Sequence, residues 1–129
     1  MLKMNKLYNL TNPHQGSRKK VLCVCSAGLL RSPTMAVVLS QPPFHFNTRA
    51  VGVSREFALI DVDEYLLEWA DCVLCASPEV KTALVERFAD VSRYNIISMN
   101  IPDNFQYMEH QLVREITQQA KDIFYAETH

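Results

Sequence analysis

The chain lacks any apolar run of the length a membrane span needs. Its first twenty residues, MLKMNKLYNLTNPHQGSRKK, hold neither a sustained apolar stretch nor a small-residue cleavage site, so no secretory signal and no membrane partner are expected. A cytoplasmic protein is the expectation. The chain also lacks an excess of either charge, with 13 Lys and Arg against 14 Asp and Glu. That balance argues against a nucleic-acid partner and against generic polyanion binding, and leaves room only for a local positive pocket. Internal repeats and low-complexity segments are absent too. Apolar residues are not scarce: they make up 48% of 129 residues, enough for one domain with a real core and too few residues for two ordinary ones.

Four cysteines are present, but their placement excludes the usual structural uses. Cys23 and Cys25 alternate along a strand-like run, and Cys72 and Cys75 sit in a second one. Reduced thiols fit this better than disulfides. Zinc is disfavoured for the same reason, because "CVC" and "CVLC" lie inside strands rather than on turns where thiolates converge. Neither a metal nor another cofactor is expected. His14, His45, His110 and His129 share no spacing and carry no site.

Residues 1–18 show no clear periodicity and end in Pro, Gly and basic residues, which reads as a loosely attached extension before a single domain over 19–129. "KVLCVC" is a buried strand without polar alternation, the pattern of a parallel strand covered on both faces. Ser32 as N-cap and Pro33 in the first turn predict a helix ended by "QPP". A second strand follows in "FNTRAVGV", then a helix over 62–69 with Val62, Tyr65, Leu66 and Trp69 on its inner face. "DCVLCA" is a third strand, and Ser77 and Pro78 start a helix through about residue 88. "YNIIS" is a fourth strand, and residues 108–125 carry Leu112, Ile116, Ala120, Ile123 and Phe124 at helical spacing. The expectation is an α/β fold, a four-stranded parallel sheet with helices on both faces. In such a sheet the ligand crevice lies beyond the carboxyl ends of the strands.

The loop after the first strand, "CSAGLLRS", is therefore on the active edge. A cysteine ending a strand before a helix start has backbone N–H groups and the positive end of the helix dipole around it, an environment that favours a thiolate. Cys25 is the candidate nucleophile. Ser26, Ala27, Gly28, Leu29 and Leu30 form a short turn in which Gly28 can adopt positive φ. Arg31 can then present its planar fork of donors to a tetrahedral oxyanion. Ser32 can donate its hydroxyl to sulfur. A thiolate at the base of a phosphate-sized cup suggests attack on phosphorus and a cysteinyl-phosphate intermediate. The bland alternative is a buried structural cysteine near a surface arginine.

"VLCVCSAGLLRSP" resembles the low-molecular-weight protein tyrosine phosphatases, whose signature is an apolar strand, Cys-x5-Arg, then Ser-Pro. The resemblance runs from Lys20 to about Tyr125. It implies Cys25 as nucleophile, Arg31 as phosphate ligand and Ser32 as the hydroxyl that assists the thiolate. Gly28 stands where that family usually has asparagine, and Leu30 where many members have a second, protective cysteine.

Ester cleavage also needs a general acid, a task worth about 10²- to 10⁴-fold. Asp71 and Asp90 precede strands and belong to the far edge, which leaves Asp61, Asp63 and Asp103. Asp61 and Asp63 read as the first turn of their helix. Asp103 lies in "NIPDNFQYM", where apolar neighbours would favour a protonated carboxyl, although a plain turn aspartate fits as well. The resemblance points the same way, since "DNF" stands where the family carries Asp-Pro-Tyr, with Phe105 in the place of a cleft-lining aromatic. Phe57 is either the opposite wall or ordinary core. The expected activity is a phosphomonoesterase acting on phosphotyrosine, in a protein or a small aryl phosphate. Two alternatives remain: an arsenate reductase on the same scaffold, and a phosphate-binding module without catalysis.

Overall fold

A computed structural model of the chain describes residues 18–26, 31–54, 58, 60–88, 90, 91 and 93–125. The first seventeen residues of the expected extension lie outside them. The strands are β1 (Lys20–Cys25), β2 (Asn47–Gly52), β3 (Cys72–Cys75) and β4 (Ile96–Ser98); the helices are α1 (Arg31–Ser40), α2 (Glu64–Trp69), α3 (Pro78–Arg87) and α4 (His110–Tyr125). The strands form one sheet in the order β2-β1-β3-β4, and every pairing is parallel. The α/β architecture expected from the sequence is therefore the one observed.

The sheet is covered on both faces, which explains strands without polar alternation. Val21, Cys23 and Cys25 face one core with Met35 and Leu39 of α1 and Leu112, Ile116 and Ala120 of α4. Leu22 and Val24 face the other with Leu66 and Leu67 of α2 and Val80 and Leu84 of α3. From β1 the chain goes to β2 on one side and later to β3 on the other. This reversal opens a crevice beyond the carboxyl ends of β1 and β3.

Two local expectations are corrected. The first concerns α1, which begins at Arg31 rather than after Ser32. Pro33 is still within the first turn, where its missing N–H costs no helical bond, and the Ser32 hydroxyl is used elsewhere. The second concerns α2, whose inner face is Leu66 and Leu67, while Tyr65 is exposed. Its N-cap is Asp63, which accepts from the Leu66 N–H at 3.0 Å. Ser77 caps α3 ahead of Pro78, as its sequence indicates.

Candidate active site

β1 delivers Cys25 to the carboxyl edge of the sheet at 3% exposure. Beyond the strand end, the Val53 N–H donates to the Cys25 carbonyl and the Ser54 N–H to the Ser26 carbonyl, at 2.9 and 2.8 Å. The segment after β2 thus continues the parallel pairing and fixes the start of the loop. Ala27, Gly28, Leu29 and Leu30 lie outside the described residues, as does Phe57.

Ser32, fully buried in the first turn of α1, lies with its Oγ 3.1 Å from the Cys25 Sγ and donates to the Val51 carbonyl at 3.1 Å. The Ser32 oxygen accepts from the Cys25 thiol here, and a sulfur that had become negative could draw the hydroxyl proton away from the carbonyl. Arg31 is 5% exposed. One of its Nη atoms donates to the Ile101 carbonyl at 3.0 Å, and its Nε lies 3.4 Å from an Asp103 carboxylate oxygen. Two contacts, Cys25 with Ser32 and Arg31 with Asp103, are thus brought side by side by the adjacent positions of Arg31 and Ser32 in the first turn of α1.

Asp103 does not have the apolar surroundings expected for it. Its side chain is 67% exposed and faces the Arg31 guanidinium, because the preceding Ile101 turns into the core and leaves Pro102 and Asp103 outside. Asp61 is engaged elsewhere, in a two-pronged ion pair with Arg87 of α3, Nη1 to Oδ1 at 2.6 Å and Nη2 to Oδ2 at 2.5 Å. Asp71 accepts from the Lys20 N–H at the opposite edge of the sheet.

A cavity of about 280 Å³ opens at this point, lined by Ser26, Arg31, Ser77, Glu79, Val80, Asn100, Ile101, Pro102 and Asp103. Phe105 is not on it; the ring packs against the core and lines a neighbouring cavity. Glu79 and the Ile101 carbonyl escaped the reading of the sequence. The rule that selected "CSAGLLRS" could have found Glu79, since it follows β3 on the same edge. No sequence signal marks a backbone carbonyl as the anchor of an arginine.

The other thiols belong to the core. Burial drives Cys23 well above its ordinary range, with the neighbouring thiols Cys72, Cys25 and Cys75 adding to it. Burial also pushes Cys72 up to about 11 and Cys75 up to about 12. Cys72 and Cys75 sit in opposite core clusters, one on each face of the sheet, an arrangement that separates the two thiols a disulfide relay would join.

No protein-family model matches the chain, and no curated protein matches it in sequence. Solved structures do match. The YwlE arginine phosphatase from Geobacillus stearothermophilus aligns with a TM-score of 0.60 at 18% identity, over 85% of this chain and 96% of that one. A YwlE mutant from Bacillus subtilis aligns with a TM-score of 0.64 at 17% identity, over 86% and 99%. This chain has their fold. It is the low-molecular-weight phosphatase fold, a four-stranded all-parallel sheet with helices.

Proposed function

We propose that the chain is a cysteine-dependent phosphatase, with Cys25 as nucleophile, Arg31 as phosphate ligand and Asp103 as general acid. The observation that carries this reading is the pair of contacts Cys25–Ser32 and Arg31–Asp103, side by side at the carboxyl edge of a parallel sheet. In the first step the Cys25 thiolate attacks phosphorus, the bond to the leaving group breaks, and Asp103 gives that group its proton. Arg31 and the loop N–H groups hold the remaining oxygens. The incoming phosphate replaces Asp103 as the partner of Arg31 and leaves the Asp103 carboxyl facing the leaving group. In the second step Asp103, now a carboxylate, takes a proton from water, the water oxygen bonds to phosphorus, and the P–S bond breaks. Ser32 turns its proton to the departing sulfur.

Phosphotyrosine is the substrate that the resemblance of the Cys25–Pro33 loop to the tyrosine phosphatases suggests; the Phe105 ring expected on the cleft lines the neighbouring cavity instead. A second reading, phosphoarginine, is favoured by one observation. The carboxylates of Glu79 and Asp103 line the Arg31 cavity, which suits a cationic guanidinium group better than a phenol ring. A solved structure with the same fold is that of an arginine phosphatase.

The test is hydrolysis of p-nitrophenyl phosphate, a phosphotyrosine peptide and a phosphoarginine peptide, in chelator and reductant. Wild type, Cys25→Ser and Asp103→Ala are assayed in parallel. The expected result is turnover by wild type, none by Cys25→Ser, and a loss of about a hundredfold or more for Asp103→Ala on the aryl ester. A full rate for Asp103→Ala would remove the acid assignment. Phosphate binding without turnover of any substrate would sink the enzyme reading and favour a binding module.

A further inference from the structure

A second cavity, of about 510 Å³, lies beside the one that Arg31 bounds, between α4 and the segment after β4. Among the described residues it is lined by Asn100, Pro102, Phe105, Gln111, Arg114 and Glu115. Asn100 and Pro102 also line the Arg31 cavity, so the two spaces share a wall. A small aryl phosphate has no flanking residue to place in the second.

The polar groups of the groove are not all spent. Arg114 is exposed and makes no hydrogen bond or ion pair with the described residues. Its neighbour Glu115 accepts from the Gln119 side chain at 3.2 Å. Asn100 has both backbone groups taken by Gln119, at 2.8 and 3.0 Å. Its side-chain amide is left with a donor and an acceptor, the pair a peptide backbone presents. Phe105 and Pro102 supply an apolar floor. Successive residues of an extended peptide are about 3.3–3.6 Å apart, so a side chain one or two places from a phosphorylated residue reaches across the shared wall.

We propose that this groove is the subsite for the residue flanking the phosphorylated one in a protein substrate, that it takes an acidic side chain, and that Arg114 reads it. The proposal rests on the phosphatase reading above. Arg114 acts on binding: its guanidinium fork matches a carboxylate, and it touches none of the reacting atoms.

The test compares two phosphopeptides that differ only in carrying Glu or Lys at the flanking positions. The phosphorylated residue is whichever of tyrosine and arginine turns over faster, and p-nitrophenyl phosphate is the reference substrate. Wild type, Arg114→Glu and Arg93→Glu are assayed; the last makes the same charge change just before β4, at the opposite edge of the sheet. Wild type is expected to favour the Glu peptide by about tenfold in kcat/KM, mainly through KM. Arg114→Glu should reverse that preference and Arg93→Glu keep it. Equal rates on the two peptides, or an unchanged preference in Arg114→Glu, would overturn the subsite while p-nitrophenyl phosphate turnover left the phosphatase reading standing. Absence of turnover on all three substrates would remove that reading and the subsite with it.

Discussion

The Ser32 hydroxyl illustrates how much one proton can be asked to do. It donates to the Val51 carbonyl while its oxygen accepts from the Cys25 thiol, and in the proposed mechanism the sulfur needs that proton most when the P–S bond breaks. Ser32→Ala should therefore slow the second step more than the first. A hydrogen bond to a charged group is worth about 1.5–3 kcal/mol, which corresponds to roughly 10- to 100-fold in rate. Rapid-quench kinetics should show a burst of product followed by a slow steady state, with cysteinyl-phosphate accumulating. A variant that loses rate with no burst would place Ser32 in the first step instead. At this scale the closeness of Cys25 and Ser32 was legible because a short loop joins the end of β1 to the start of α1. Ser32 was misplaced as an N-cap because Ser-Pro signals a helix start without fixing its register. The exposure of Asp103 was not legible, since it depends on which neighbour, Ile101, the core claims.

The elements around the site are tied by side chains from the helices behind them. Arg87 of α3 donates to the Val53 carbonyl at 3.0 Å and grips Asp61 with two bonds, which holds both ends of the segment after β2. The Asp61 contact raises the Arg87 affinity for its proton, so the cation is secure throughout the ordinary pH range. Replacing Arg87 by Met should cost about 2–3 kcal/mol, read as a lower urea midpoint. Asp61→Asn and the double variant should cost little more than Arg87→Met alone. Additive losses would show that the two residues act independently. The pair spans 26 positions, and no periodicity foretells such a contact. The strands and long helices were legible because burial on both faces, capping residues and the spacing of Leu112, Ile116 and Ala120 agree with one another. Helix α2 was legible only as a helix; its six residues are fewer than two turns, too few for spacing to distinguish Leu67 from Tyr65.

Across the whole molecule, the buried thiols make stability depend on alkaline pH. Cys72 and Cys75 hold their protons up to about 11 and 12, and Cys23 is also shifted far upward, whereas in the unfolded chain such thiols ionise near 8.5. Between those limits the unfolded state binds fewer protons than the folded one, so stability falls as pH rises. Each thiol contributes a slope of up to about 1.4 kcal/mol per pH unit. Melting temperatures measured from pH 8 to 11 should drop steeply in wild type and less steeply in Cys72→Ala and Cys75→Ala. Equal slopes in all three proteins would disprove the thiol origin. The strand order has a further consequence. β1 is flanked on both sides, by β2 and β3, and its residues from Val21 to Cys25 are buried. Backbone amides in such a strand trade their hydrogens for deuterium only when the entire domain opens. The strand that carries the candidate nucleophile should therefore be among the slowest-exchanging segments of the protein, and heat should abolish activity and secondary structure in a single step.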